Sequence, residues 1–504
     1  MSSDDPRGFM LNATTVAHVD VGRVIRAAYE AHPDHPPTVR RLARYLFSTD
    51  AHEELVGELG PTLLDSRADA ECLHFVGLAA LMLGDHVLAE RSLSFAAASG
   101  HRDSLGHWVK TLKALGRIEE AYSIGMRTLE DFPDDDPTSQ VVFGILLAEK
   151  RYTELWDLCL RLRAAGGWTV RMVSAMALAA ETPDRKEVVR RMTDQERWFE
   201  QTPLTLEHGY TADLGRFLNE MNRWTSLPRT KATVGRGKRI EKIHALADNP
   251  LLKTLFTHIR AQIATYINRR AALFVPSAHD QPMVAMRPDV PALTSWTVAV
   301  NGDGHESWHI HPDGWLSGAF YVDVPDLSSS DAPRAGQIEF GPYPLGPAVD
   351  DTVWPRCSVQ PRTGDLLLFP SYFAHRTWPT YVEPDRICIA FDVLRRGLES
   401  PISASEGDRA RDGFGPEDQL VRDSRAVYAA NDARSHLIMN VDTGRYLATD
   451  ETGALLWALL ERPHTVGELA GLLLREFEGV ETVITKDITN VLRTMVSCGV
   501  AAVL

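Results

Sequence analysis

The chain has 504 residues, 44% hydrophobic and 24% charged, with a formal net charge of −15 at pH 7. This length is too great for one core, so we expect roughly two to four domains. The negative charge disfavours nucleic acid and anionic membrane surfaces as partners, and no apolar run of about eighteen residues predicts a membrane span. Five scattered cysteines without a CxxC pair argue against disulfides and a zinc–thiolate site. Together with a polar, acidic N-terminal segment, these features predict a cytoplasmic protein.

Helical spacing of apolar residues extends from about residue 17 to 195. Three similar segments within it have their turns at Gly84, Gly116 and Lys150, which are 32 residues (84 to 116) and 34 residues (116 to 150) apart. This period resembles that of tetratricopeptide repeats, although Lys150 stands where the other copies have glycine. We therefore predict a tetratricopeptide-like helical domain over residues 1–195, with a generic helical bundle as the alternative. Such an array offers a concave binding surface or a platform for a homodimer.

From Leu293 onward the hydrophobic period changes from helical spacing to alternation, which predicts strands. The predicted strands are 294–300, 316–322, 336–340, 365–369 and 386–393. Short strands joined by turns rich in glycine and proline are typical of a jelly roll or barrel. We therefore predict a jelly-roll domain over residues 196–395.

Histidines in this domain stand in a pattern typical of a mononuclear iron site. Strand alternation places His309, His311 and Asp313 on one face, while His375 and Arg386 follow later in the chain. Imidazole and carboxylate ligands suit iron, and two histidines with one carboxylate form the facial triad of non-haem iron oxygenases. A histidine pair alone is more often a hydrogen-bonded surface feature, but the later histidine and arginine favour a metal site.

Residues 205–395 resemble the 2-oxoglutarate- and iron-dependent oxygenase superfamily. The similarity is greatest to a bacterial and phage subgroup with the pattern HxHP…LSGxYYV…FPSxxxH…R, which runs through residues 309–393. The resemblance implies a double-stranded β-helix that binds Fe(II), 2-oxoglutarate and O2. It also implies that His309 and His375 are metal ligands.

The resemblance leaves the third metal ligand open. If His309 opens the usual His-x-Asp motif, His311 stands where the carboxylate is expected. If His311 opens it, Asp313 completes a conventional triad. We favour His309, His311 and His375 as the ligands, with Asp313 as the alternative third ligand.

The resemblance also implies where the cosubstrate binds. Arg386 matches the arginine that pairs with the C5 carboxylate of 2-oxoglutarate, for which a fork-shaped guanidinium is suited. Tyr321 and Cys388 are further candidates for cosubstrate binding. Cys388 departs from the superfamily pattern, because many members have serine at this position and use it for a second hydrogen bond.

The last part of the chain predicts a separate small domain. Residues 396–424, rich in charge, glycine, serine and proline, predict a linker. Residues 425–504 predict a winged-helix-like α+β domain, and this region resembles the PqqD family in its strand pair and in the three helical segments that follow. Members of that family hold the leader of a precursor peptide by adding it to a strand edge. The alternative is a dimerisation domain, and the lack of a basic helix disfavours DNA binding.

The two resemblances together imply a hydroxylase that acts on a side chain of a ribosomally made precursor peptide. In this interpretation the C-terminal domain holds the leader of the peptide while the core peptide reaches the iron. Two alternatives stay open at this point. One is an oxygenase for a free or carrier-bound small molecule, and the other is a non-catalytic repeat scaffold or sensor.

Overall fold

A computed structural model of the protein describes residues 21–65, 69–221, 224–226, 233–246, 249–274, 281–328, 330–343, 353–396, 414–415, 417–430, 436–475 and 481–504. The chain divides into two compact units. The first unit combines Met1–Ser104 with Pro401–Leu504, and the second is Leu105–Ser400. These units cut across the predicted repeat domain, whose boundary at residue 195 stays a prediction. In the described part of the chain, no helix is both long and apolar enough to cross a membrane.

The described residues up to Trp198 form helices and their connections. The turns after the fourth, sixth and eighth helices share a left-handed residue, with φ of 80° at Gly84, 76° at Gly116 and 58° at Lys150. Lys150 thus adopts the backbone conformation that glycine adopts in the other two turns. The predicted helical region is confirmed, and its identity as tetratricopeptide repeats stays a prediction. The helices are α1 (Val21–Ala31), α2 (Pro36–Ser48), α3 (His52–Asp65), α4 (Ala70–Leu83), α5 (His86–Ala98), α6 (Ser104–Ala114), α7 (Ile118–Asp131), α8 (Asp136–Ala148), α9 (Tyr152–Gly166), α10 (Val170–Leu178), α11 (Pro183–Met192) and α12 (Gln195–Trp198).

After α12, the described residues of the second unit form strands and three α-helices. The helices are α13 (Tyr210–Glu220), α14 (Pro250–Arg269) and α15 (Pro282–Ala285). The strands are β1 (Glu200–Pro203), β2 (Thr225–Ser226), β3 (Thr233–Val234), β4 (Gly237–Ile240), β5 (Leu293–Val300), β6 (His305–Glu306), β7 (Gly314–Asp323), β8 (Ile338–Gly341), β9 (Cys357–Val359), β10 (Asp365–Pro370), β11 (Ala374–Thr377) and β12 (Arg386–Leu394).

Ten of these strands form a larger and a smaller antiparallel sheet, and β3 pairs separately with β6. The larger sheet has the order β1-β10-β7-β12-β5-β4-β2 and the smaller β11-β8-β9. One continuous apolar core joins both sheets to helices α13 and α14, with Phe320 of β7, Leu255 of α14 and Phe340 of β8 among its buried members. Central strands packed on both faces read as apolar runs, as in β10, where every residue is buried. The predicted jelly roll, a double-stranded β-helix, is confirmed.

The C-terminal segment of the first unit is a small α+β fold, as predicted. Strands β14, β15 and β16 form an antiparallel sheet in that order, and β13 pairs with β17. Helix α17 begins with a capping box formed by Thr465 and Glu468. In the predicted linker, residues 397–413 and 416 lie outside the described residues. The elements are β13 (Leu420–Arg422), β14 (Ala426–Ala430), β15 (His436–Asn440), β16 (Tyr446–Thr449), α16 (Glu451–Leu459), α17 (Val466–Leu473), α18 (Glu481–Ser497) and β17 (Ala501–Val503).

The three-stranded sheet of the first unit is covered on both faces. Successive side chains of a strand point to opposite faces of its sheet. Leu437 and Met439 of β15 accordingly pack in one apolar cluster with helices α1–α4. Ile438 of β15 packs in a second cluster with helices α16–α18. The N-terminal helices and the C-terminal fold therefore share a hydrophobic core.

Helix α2 also holds the turn between β15 and β16. Arg41 donates hydrogen bonds to the backbone carbonyls of Val441 and Asp442, and His35 Nε2 lies 2.9 Å from Asp442 Oδ1. Gly444 in this turn has a φ of 72°, and a Cβ at this position would overlap the Arg41 guanidinium. Glycine therefore satisfies both the backbone of the turn and the approach of the arginine.

Candidate metal and cosubstrate site

Three histidines converge in the second unit, where the segment before β7 meets β11. His309 and His375 form an isolated antiparallel bridge, with both N–O distances at 3.0 Å. The backbone N–H of His311 donates to the carbonyl of Ser371 at 3.1 Å. One nitrogen from each ring lies within 4.8 Å of the other two, and this is the one such group of three metal-ligating side chains in the described ranges. Strand pairing therefore assembles the three rings that the sequence pattern predicts as ligands.

Each ring has its Nδ1 held by an acceptor. The Nδ1 atoms of His309 and His375 lie 2.8 and 3.0 Å from the backbone carbonyls two residues earlier. The Nδ1 of His311 lies 2.6 Å from Asp392 Oδ1. A ring nitrogen that donates to an oxygen carries the proton, so the Nε2 atom is left to bind a metal. The orientation of all three rings therefore fits a metal centre.

The surroundings shift the pKa values of the three rings in different directions. Burial lowers the pKa of His309, and burial together with the two neighbouring rings lowers the pKa of His375 well below its ordinary value. Burial acts in the same direction on His311, but the charge and hydrogen bond of Asp392, together with the charge of Glu306, raise its pKa above the ordinary value. The site thus keeps two rings neutral, as a metal requires, and places one negative charge behind the third.

Asp313 does not join this group. It lies in the turn between His311 and β7, with its side chain exposed and its backbone carbonyl accepting a hydrogen bond from the N–H of Arg395 at 3.1 Å. Among the described residues, the cluster of metal-ligating atoms contains the three histidines and not this carboxylate. The structure therefore brings together His309, His311 and His375 and leaves the alternative third ligand outside.

The predicted cosubstrate residues share one face of the larger sheet. Cys388 of β12 pairs with Tyr321 of β7. Arg386 stands two residues before Cys388 on a strand that pairs with β5 without a register shift, so both point to the same face. Asp392 has the same parity, and this face therefore runs from the histidine cluster to the arginine.

Arg386 is a buried cation without a carboxylate partner in the described part of the chain. The residue is 3% exposed, and its Nη1 donates to the carbonyl of Gly336 at 3.1 Å. Its Nε is buried without a hydrogen-bond partner. A buried charge in this state is costly, and a ligand carboxylate would offset that cost. The position therefore fits the distal carboxylate of 2-oxoglutarate.

Tyr321 and Cys388 stay neutral beside this cation. Burial raises the pKa of Tyr321 well above its ordinary value and raises the pKa of Cys388 to about 12, although the nearby Arg386 acts in the opposite direction on both. A neutral phenol and a neutral thiol do not compete as anions for the arginine. They leave its charge available to a carboxylate ligand.

Three residues near the histidines have no counterpart among the predicted site residues. Asp392 and Ser317 hold the ring of His311, because Asp392 Oδ1 lies 2.6 Å and Ser317 Oγ 3.1 Å from its Nδ1. Glu306 Oε2 lies 3.6 Å from His309 Nε2. The parity of Asp392 with Arg386 along the predicted strand was the available signal for the first of these. For Ser317 and Glu306 the sequence pattern contains no comparable signal.

Two parts of the chain match known protein families. Residues 294–392 match a family model of 2OG-Fe(II) oxygenases, and residues 435–501 match the family model of coenzyme PQQ synthesis protein D (PqqD). The first match contains the three histidines and Arg386. Residues 294–392 are thus a 2OG-Fe(II) oxygenase domain, and the chain is an enzyme of this class, with iron as the metal, 2-oxoglutarate as the cosubstrate and O2 as the usual oxidant. Residues 435–501 are a PqqD-like domain.

Solved structures of oxygenases resemble parts of the chain at low sequence identity. A prolyl-4-hydroxylase from Pseudomonas putida has 13% identity over 41% of this chain and 99% of that chain, with a TM-score of 0.28. A prolyl hydroxylase from Trichoplax adhaerens, in complex with a hypoxia inducible factor peptide fragment, has 15% identity over 42% and 91%, with a TM-score of 0.29. HygX from Streptomyces hygroscopicus, with nickel and 2-oxoglutarate bound, has 14% identity over 44% and 89%, with a TM-score of 0.28. At these TM-scores the similarities assign no substrate to this chain. No curated protein matches it significantly.

Proposed function

We propose that the oxygenase domain hydroxylates a side chain of a ribosomally made precursor peptide, whose leader is bound by the PqqD-like domain. The observation that carries this proposal is the presence of both domains in one chain. A domain of the leader-binding kind gives an oxygenase a means of selecting a peptide rather than a free metabolite. Binding at a second site also raises the effective concentration of the core peptide at the metal.

In this proposal His309, His311 and His375 hold the iron, and Arg386 pairs with the C5 carboxylate of 2-oxoglutarate. Tyr321 and Cys388 lie beside that arginine as neutral hydrogen-bond donors. Bound iron would activate O2 to oxidise the peptide side chain, while 2-oxoglutarate is converted to succinate and CO2. The protein contributes ligand geometry, a clamp for the cosubstrate and a buried site. Asp313 has no role in this arrangement.

The packing of the PqqD-like domain supports binding of the leader at a strand edge. Helices α1–α4 cover one face of its three-stranded sheet and helices α16–α18 cover the other. A peptide that joins this sheet must therefore do so along an outer strand, β14 or β16. Addition of an extended peptide to a sheet edge supplies main-chain hydrogen bonds, with side-chain pockets giving specificity.

All five cysteines are free, which supports the proposed cytoplasmic location.

The proposal is tested by following succinate in protein reconstituted anaerobically with Fe(II) and then given 2-oxoglutarate and O2. We expect a candidate precursor peptide to stimulate succinate formation and to gain about 16 Da, the mass of one oxygen atom. His375→Ala should abolish both signals. The matched control is His208→Ala, which removes an exposed histidine and should leave both unchanged.

The other outcomes separate the alternatives. Succinate formation that does not respond to peptide would replace the proposal with an oxygenase for a small molecule. No succinate under any condition, together with no retained iron, would overturn the enzymatic proposal in favour of a scaffold. Leader binding measured separately by titration reports on the PqqD-like domain, whichever result the oxygenase assay gives.

A further inference from the structure

We propose that Asp392 is a positioning residue that supplies, from behind His311, the negative charge that a carboxylate ligand supplies in a site of two histidines and one carboxylate. The inference rests on the proposed function, in which three neutral imidazoles hold the metal. Such a ligand set brings no negative charge to the metal, whereas the usual facial triad brings one. Asp392 is a carboxylate within hydrogen-bond distance of one of these rings, whereas Glu306 Oε2 lies 3.6 Å from His309 Nε2.

The geometry ties Asp392 directly to one ligand. Its Oδ1 lies 2.6 Å from the Nδ1 of His311, and the residue is 6% exposed. Among the described residues, His311 is its one ion-pair partner. An ionised carboxylate buried in this way needs a positive charge, which a metal on the far side of the ring would provide. The carboxylate and the metal would therefore stabilise each other through the imidazole.

Two serines fix the carboxylate in this position. Ser317 Oγ donates to Asp392 Oδ1 at 2.6 Å and lies 2.8 Å from Ser371 Oγ. The carbonyl of Ser371 accepts the backbone N–H of His311. The network thus holds His311 at both its ring and its backbone, and it leaves the Nε2 directed to the other two histidines.

Gly314 shows that the network is closely packed. A Cβ at this position would overlap Ser371 Oγ and would lie 3.3 Å from Asp392 Cγ. The glycine that ends the His-Pro-Asp-Gly segment therefore makes room for the carboxylate behind the preceding histidine. Gly314 therefore has two structural roles, since it forms part of the turn into β7 and leaves space for the Asp392 carboxylate.

The test compares metal affinity in matched variants, measured by Co(II) competition with a chelator and by the visible absorption of bound Co(II). Asp392→Asn keeps the shape and an acceptor oxygen but removes the charge, so we expect the Co(II) affinity to fall about 10- to 100-fold. Ser317→Ala removes a neutral hydrogen bond and should cost less. The melting temperature of each metal-free variant reports on folding separately from metal binding.

Repeating Asp392→Asn in a His311→Asp variant tests whether the change in Co(II) affinity reverses its sign. His311→Asp places a carboxylate among the ligands, where Asp392 would repel it at close range. In that background Asp392→Asn should raise the Co(II) affinity instead of lowering it. If Asp392→Asn lowers the affinity in both backgrounds, or has no effect on the unaltered chain, Asp392 is structural and the inference is overturned. If the unaltered chain binds no Co(II), the failure belongs to the proposed metal site itself.

Discussion

Replacement of Arg386 by methionine should have opposite effects on cosubstrate binding and on the stability of the free protein. Arg386 is 3% exposed as a residue, donates a hydrogen bond to the carbonyl of Gly336, and has a buried Nε without a partner. An arginine that served the fold would have its hydrogen bonds satisfied by the protein. Arg386 instead has no carboxylate partner in the described part of the chain, so its charge is available to a carboxylate of a ligand.

The magnitude follows from the burial of the expected ion pair. Removing one partner of a buried pair costs about 3–5 kcal/mol. At the lower figure, the dissociation constant for 2-oxoglutarate should rise roughly 100-fold, since each ~1.4 kcal/mol is a factor of ten. Without cosubstrate, Arg386→Met loses a hydrogen bond but also removes an unpaired buried charge. The free energy of unfolding should therefore stay within about 1 kcal/mol of the original or increase.

Thermal melting of the Zn(II)-loaded protein, which cannot turn over, measures both effects. At a concentration 100 times the original dissociation constant, 2-oxoglutarate should stabilise the unaltered chain by about 2.7 kcal/mol. It should stabilise the variant by only about 0.4 kcal/mol, because that concentration then equals the raised constant. Arg216→Met, at an exposed position on α13, is the control and should change neither value. A variant that melts far lower without cosubstrate, yet keeps the full shift on adding it, would refute the reasoning.

Three further predictions concern other parts of the molecule. Metal affinity should fall as the pH is lowered, and the fall should begin above the ordinary histidine pKa of about 6.5. Asp392 raises the pKa of His311, and a metal must displace the proton that this ring then carries. Co(II) titrations between pH 8 and 5.5 would show no such decline if the ring were already neutral. Gly444→Ala should destabilise the first unit by about 2 kcal/mol, because alanine is strained in the left-handed backbone conformation and its Cβ displaces Arg41. The affinity for the leader and the melting temperature should both fall, whereas the affinity for 2-oxoglutarate should not change. Lys150→Gly should raise the free energy of unfolding by up to about 1 kcal/mol, since glycine adopts a φ of 58° without strain. A lower free energy of unfolding in chemical denaturation would contradict this prediction.

Local patterns in the sequence were sufficient for five of the strands described in the second unit, namely β5, β7, β8, β10 and β12. The strand predicted at 386–393 is observed as Arg386–Leu394, and that predicted at 365–369 as Asp365–Pro370. Alternation and turn residues are properties of neighbouring positions, so they are visible without a structure. The spacing of His309, His311 and His375 was readable for the same reason. The strand that follows His311 was predicted, as 316–322, whereas β11 (Ala374–Thr377), on which His375 lies, was not.

Relations between distant segments could not be predicted in this way. The contact between His311 and Asp392 joins residues 81 positions apart, and it depends on how β7 and β12 pair. The shared core of α1–α4 with β14–β16 was likewise hidden, because an apolar helix face shows that something covers it but not what. Helical periodicity alone grouped those four helices with the following ones, although they pack with the far end of the chain.

That packing has a consequence for how the protein is made. Helices α1–α4 leave the ribosome long before the sheet that covers them, because residues 105–400 are translated in between. At about 5–20 residues per second this interval lasts roughly 15–60 s. During that time the four helices can pack against one another, but the sheet that completes their hydrophobic core is absent. The oxygenase unit, whose residues 105–400 are contiguous in the sequence, can fold before the C-terminal sheet has been translated.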